Sequence, residues 1–187
     1  MTMILPCKET LELPFELETS LERRLAADPE WRIGLVWGKP RSGHPEGEVI
    51  FHILDVLNNV DHFFGSSDDR SRLRLIALIH DTFKYRTAHR RSGTPQRSHS
   101  LWARAFAKKY IDDPGILQVI EFHDEAYKAY LLMTWQRDQE AANNRAKDLR
   151  IQLGENLDLF MKFYLCDNQT RGKSTDHFEW FKRLMEE

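Results

Sequence analysis

With 187 residues, 22.1 kDa, 41% apolar and 11% aromatic content, the chain has the length of one domain and enough apolar mass to close a core, which excludes a disordered chain. Its 27 Lys and Arg against 29 Asp and Glu leave a formal charge of -2, so the totals show neither a global basic field for nucleic acid nor an acidic tail. Two cysteines, Cys7 and Cys166, are too few for a disulfide framework and lack the paired spacing of a thiolate zinc site, which leaves eight histidines as the unusual feature.

The opening stretch MTMILPCKETLEL has no basic n-region or long apolar run, and nothing approaches the roughly 18 apolar residues of a membrane span. The expectation is a cytoplasmic protein with no membrane partner. Thr19 with Glu22 reads as a capping box opening a short helix that Asp28-Pro29 stops. Trp31 to Gly43 reads as an irregular surface segment, with Ile33 to Trp37 the one candidate for a strand. From Pro45, which suits a first helical position, Val49, Ile50, Ile53, Leu54, Val56, Leu57 and Val60 recur at helical spacing. After the turn residues Gly65 to Asp68, the run from Leu73 to Ile79 is apolar almost all round, as in a helix at the centre of a domain, and ends in His80-Asp81. Further helices are predicted near 96–110, from Pro114 with Asp113 as cap to about 122, over about 125–153, over 155–166 and from Asp176 onward. No segment alternates with period two for long, so the chain reads as a single all-α domain over 1–187.

A buried helix that ends in two adjacent ionisable residues needs compensation, because an unpaired buried carboxylate or imidazole costs several kcal/mol. A metal ion supplies it: at a helix end His80 and Asp81 can both turn toward one ion. His52, His99, His123 and Asp167 each lie on or just past an apolar helical run and are the remaining ligand candidates. His62, His89 and His177 read as surface residues, Cys166 as packing, and the five tryptophans as core or rim, with Trp37 near enough to His44 to line a pocket.

The order His52, His80-Asp81, Asp167 resembles the HD-domain superfamily of metal-dependent phosphohydrolases, whose signature is a helix-borne His, a His-Asp doublet and a distant Asp on an all-α bundle. His80 follows His52 by 28 residues, room for two successive helices, and His99 and His123, 24 apart, stand where members with two metals add two histidines. The resemblance covers roughly 44–170. It implies an HD-domain helical bundle that hydrolyses a phosphate ester by metal-activated hydroxide. It further implies that His52, His80 and Asp167 hold one ion and His99 and His123 the other, with Asp81 bridging them. One or two divalent ions of Fe, Mn, Co, Ni or Zn suit nitrogen and oxygen donors without thiolate. The imidazoles must be neutral to bind them, so activity is expected to fall below about pH 6.

IHDTFK resembles the HD-x-x-K form of the superfamily, which makes Lys84 a catalytic and substrate-binding candidate. HPEGEVIFH resembles the segment before the first ligand in the HD domains of bacterial CCA-adding RNA nucleotidyltransferases, which supports His52 as first ligand and puts His44 and Glu46 at the edge of the site, His44 as a substrate-binding candidate. His123-Asp124 stands where some cyclic-dinucleotide phosphodiesterases have His-His, and no GYP triad is present, which argues against that activity.

Between Thr82 and Ser98 lie five cations, Lys84, Arg86, Arg90, Arg91 and Arg97, and no acid, so the rest of the chain carries -7. Arg86, Arg90 and Arg91 are candidates for gripping substrate phosphates. The expected partner is a small phosphate ester, a nucleotide or nucleotide-like molecule, ahead of a nucleic acid held by loop 84–97. Two rivals stand beside a hydrolase: a diiron oxygenase of the myo-inositol oxygenase type, which uses a similar ligand order, and a non-catalytic nucleotide- or nucleic-acid-binding module of the same fold.

Overall fold

The computed structural model describes residues 11–41, 45–87 and 98–186. Among them are ten α-helices and no strand, with a lone antiparallel bridge between Gly38 and Glu48. The chain is all-α, as its periodicity predicts. No described helix is long and apolar enough to cross a membrane.

Helix α1 (Ser20–Ala26) starts at the predicted cap, where Thr19 Oγ1 accepts the Glu22 N–H at 3.1 Å. The Glu22 carboxylate reaches one residue further back than a capping box requires, taking the Glu18 N–H at 2.6 Å. It also pairs with Arg74 at 2.9 Å in a fully buried contact that ties α1 to the core.

Pro29 does not end the helical region. It opens α2 (Pro29–Leu35), with Asp28 as the cap whose Oδ1 accepts the Glu30 N–H at 2.8 Å. The missing N–H of proline is harmless at a first helical position, so the residue that stops one helix starts the next. The segment expected to be irregular is therefore helical through Leu35, and Ile33 to Trp37 forms no strand. Trp31 is wholly buried, and its indole N–H donates to the Leu78 carbonyl at 2.6 Å.

Helix α3 (Val49–Phe64) begins four residues after Pro45, because Pro45 and Glu46 form a turn and Gly47 has a φ of 79°, outside the helical region. Helix α4 (Arg70–Ile79) is the central element. Leu73 and Ile76 to Ile79 are all at zero exposure, and the helix packs against α3, α6 (Pro114–Phe122) and α9 (Leu157–Asn168). Helix α5 (His99–Ala107) lies on α6, whose N-terminus is capped by Asp113 Oδ1 accepting from the Gly115 and Ile116 N–H groups at 2.8 and 3.1 Å.

The single helix expected over 125–153 is a hairpin of α7 (Glu125–Trp135) and α8 (Gln139–Leu153). One helix of that length would run about 43 Å, far past the core it must cover. Arg137 takes a φ of 57° at the reversal, and Asp138 caps α8 through the Ala141 N–H at 2.9 Å. Helix α10 (Asp176–Glu186) closes the bundle over α7, α8 and α9.

Candidate metal centre

The C-terminal ends of α4 and α6 converge on the first turn of α3 and the last turn of α9. His80 is the residue on which α4 ends, and His123 the residue on which α6 ends. In each, Nδ1 faces the carbonyl three residues back, Ala77 O at 3.0 Å for His80 and Ile120 O at 2.8 Å for His123. A carbonyl only accepts, so both Nδ1 atoms carry hydrogen, and in the neutral ring both Nε2 lone pairs point into the site. Burial pushes the His80 pKa down to about 3, which keeps that ring neutral. Burial also works against charge on His123, but Asp124 and Asp81 outweigh it and raise its pKa.

Two groups of donor atoms result, each with its ligand atoms within 4.8 Å of one another: His52, His80 and Asp167, and Asp81, His99 and His123. His52 Nε2 lies 3.2 Å from His80 Nε2 and 3.0 Å from Asp167 Oδ1. His99 Nε2 lies 3.1 Å from His123 Nε2. Asp81 stands between the groups: its Oδ1 is 3.4 Å from the Nε2 atoms of His99 and His123, and its Oδ2 is 3.6 Å from those of His52 and His80. The structure thus brings the six candidate ligands together in two donor groups, with Asp81 of the second also within 3.6 Å of His52 and His80 of the first.

These residues fit a pair of divalent cations. Asp81 Oδ1 is buried, and no hydrogen bond from the described residues reaches it. Leaving such an oxygen without a partner costs more than the roughly 1–3 kcal/mol of a neutral group. Four imidazole nitrogens with two carboxylates and no thiolate form a donor set for Fe, Mn, Co, Ni or Zn. Burial opposes the charge on both carboxylates, yet Asp81 is held well below the usual carboxylate range by Lys84 and His80, and Asp167 by Lys173 and His52.

A cavity of about 590 Å³ opens from the donor groups toward α7 and α10. Lys84 stands at its inner end, bonded to Asp81 Oδ2. Burial would lower the Lys84 pKa, but Asp81, Asp124 and Asp167 more than offset it and raise it, so the side chain remains an ammonium. Arg86 pairs with Glu30, lies 4.4 Å over the Trp102 ring and does not line the cavity. His44, Arg90 and Arg91 lie outside the described residues. Glu46 is placed beside His52, with Oε1 3.6 Å from Nδ1.

Three features of the cavity go beyond the expectations from the sequence. Asp124 extends the second donor group, 3.3 Å from His99 Nε2. Lys173 donates to Asp167 Oδ1 at 2.7 Å. His177, expected at the surface, is half-buried and ringed by Tyr127, Tyr130 and Tyr164 at centroid distances of 4.9, 5.9 and 5.5 Å, with the Tyr164 hydroxyl 2.6 Å from its Nδ1. Burial pushes its pKa down to about 4, and Lys173 adds to the effect, so it is neutral at ordinary pH. A helical signal for it exists, since His177 shares a face with Phe181 and Leu184 at four- and seven-residue spacing.

The model of the HD domain matches residues 48–152, from the residue before α3 almost to the end of α8. Comparison with curated proteins and with solved structures found no match. The matched stretch carries five of the six donors, while Asp167, Lys173 and His177 lie beyond it. Because that match covers more than half of the sequence, and the His-Asp doublet ends its central helix, the chain belongs to the HD-domain family.

Proposed function

We propose that the protein is a metal-dependent phosphohydrolase that cleaves a phosphate ester of a nucleotide or nucleotide-like small molecule. One observation carries this reading: the donor group His52, His80 and Asp167 adjoins the group Asp81, His99 and His123 through Asp81, and the cavity they open on is lined by Lys84, Lys128 and Lys173 alongside Asp124 and Asp176. Membership of a family whose members are typically metal-dependent hydrolases supports it.

Divalent ions held by His52, His80 and Asp167 and by Asp81, His99 and His123 would supply Lewis acidity toward the phosphoryl group and water of lowered pKa at neutral pH. The side chains do the rest. The backbone bonds at Ala77 and Ile120 fix the His80 and His123 rings, and Asp81 fixes the spacing of the two groups. Lys84, held as an ammonium, acts as a donor to phosphoryl oxygens and not as a base. Tyr127, Tyr130 and Tyr164 around a neutral His177 form a wall on which the planar part of a nucleotide can rest, in a cavity of the size that ordinarily encloses such ligands.

The test is a screen of phosphate monoesters, cyclic nucleotides and deoxynucleoside triphosphates against Mn, Co, Ni, Zn and Mg, with phosphate release as the readout. Metal-dependent hydrolysis of a nucleotide is expected. Oxygen uptake by the Fe(II)-loaded protein without phosphate release from any substrate would replace the hydrolase reading with an oxygenase.

A further inference from the structure

Lys173 sits in the segment between α9 and α10, beyond the family match, yet its ammonium lies at the donor groups. It donates to Asp167 Oδ1 at 2.7 Å and to the Asp167 carbonyl at 3.0 Å. Oδ1 is also the oxygen 3.0 Å from His52 Nε2, the atom through which Asp167 joins His52 and His80. A single carboxylate oxygen cannot give its full charge to an ammonium and to a divalent cation, and the two cations repel each other across it.

The backbone around Lys173 is pinned. Arg171 forks onto Asp55 of α3 at 2.7 and 2.9 Å, Thr170 Oγ1 donates to the Asp167 carbonyl at 3.0 Å, and Asn168 Nδ2 donates to the Ser174 carbonyl at 3.1 Å. Gly172, with a φ of 74°, packs so closely on Pro45 that a Cβ would stand 2.8 Å from its Cδ. The α-carbon is therefore fixed, while the ammonium rides on a four-carbon stem that can reorient. The nearby open space is the cavity, which Lys84 and Lys128 also line.

We infer that Lys173 is a substrate-binding residue coupled to metal loading: it neutralises Asp167 until a divalent cation takes Oδ1, then turns into the cavity to grip an anionic oxygen of the substrate. The inference rests on the metal-dependent reading above and deepens it, because it makes anion binding a consequence of metal binding. The favoured ligand carries more anionic oxygens than the donor groups alone engage, as a nucleotide with a free phosphate terminus does.

The experiment uses the full chain freed of metal by chelation, titrated calorimetrically with Mn(II), and then, loaded with Mn(II), titrated with inorganic phosphate. Lys173→Met removes the internal competitor and the anion donor together. It should bind Mn(II) at least about threefold more tightly than wild type. Once loaded, it should bind phosphate about tenfold more weakly. Lys173→Arg should restore most of the phosphate affinity. Lys173→Gln, which keeps a donor for the Asp167 carbonyl, serves for the same comparison if the methionine variant does not fold. Unchanged or weaker Mn(II) binding in the variant would show that Lys173 merely holds Asp167 in place, and unchanged phosphate binding would show that it never reaches the substrate; either overturns the inference while leaving the metal site intact. Failure of the wild-type protein to bind Mn(II) would instead remove the metal-dependent reading itself, and this inference with it.

Discussion

Gly34 of α2 packs on the backbone that carries the metal centre, although it lies 47 residues before Asp81 in the chain. A Cβ added there would stand 1.7 Å from the Thr82 carbonyl oxygen and 2.7 Å from its carbon. Both are main-chain atoms, so no rotamer change relieves the clash. Ordinary contact begins near 3.4 Å, and α2 and the turn after α4 would have to part by about 1.7 Å. In Gly34→Ala, helix propensity favours the alanine by about 0.8–1 kcal/mol, whereas overpacking of this kind costs about 1–3 kcal/mol and sometimes more. Because the clash is with main-chain atoms the upper end of that cost applies, and the net expectation is a loss of about 2 kcal/mol, read as a lower urea midpoint at unchanged slope. Thr82 follows Asp81 directly, so the displacement passes to the carboxylate shared by both donor groups. A misplacement on the order of 1 Å costs about 10²-fold in rate, and kcat/KM should fall by roughly 10- to 100-fold. A Gly34→Ala protein that is more stable by the propensity increment and fully active would refute the packing argument and its link to the site.

Four further outcomes follow from the same geometry. Asp81→Asn should lower kcat by roughly 10³-fold or more and weaken Mn(II) binding while the circular dichroism spectrum stays helical; full activity would remove Asp81 from the site. Chelation should lower the unfolding temperature, and Mn(II) at a hundred times its Kd should return about 2.7 kcal/mol of stability, whereas a midpoint indifferent to metal would contradict the donor-group reading. Tyr127→Ala should raise KM for a nucleoside monophosphate by about tenfold and leave a small alkyl phosphate unaffected; equal effects on both would rule out a stacking wall. Burial opposes the Asp113 charge, but Arg72 and the Ile116 and Gly115 N–H groups hold its pKa below the usual value. Its stabilising contribution is therefore complete above the unfolded pKa of about 3.9 and lost as pH falls through the lower folded value. The stability gap between wild type and Asp113→Asn should be widest near neutrality and close below about pH 4, and a gap independent of pH would show that the charge is not what caps α6.

The central helices and the positions of the donors were legible because each is a local pattern of helical period: an apolar run that stops at His80 or His123, or one that carries His52, His99 or Asp167 on or beside it. Asp113 could be read as a cap for the same reason. Pro29 could not, since a proline marks the end of one helix and the start of another with the same signal, and only the depth of Trp31 shows which applies. The break at Arg137 was hidden by continuous helical composition, and what imposes it is the size of the core. Lys173 had no signal at all, because TRGKST has no period and its neighbours in space are remote in sequence. His177 carried a weak one, outweighed by the polar residues around it. The basic loop was read from charge alone, and charge did not distinguish Lys84, which faces the cavity, from Arg86, which pairs with Glu30.

The two helices that stop at His80 and His123 have a consequence beyond orienting imidazoles. Every α-helix is a dipole whose C-terminal end carries roughly half a negative charge, so α4 and α6 each bring negative partial charge to the donor groups, set against the positive N-terminal turns of α5, which starts at His99, and of α3, whose first turn carries His52. The part contributed by α4 and α6 belongs to the peptide backbone beside His80 and His123 and persists whichever carboxylate is replaced. It disappears only if the last turn of a helix unwinds, so holding those two turns in place is itself part of holding an ion.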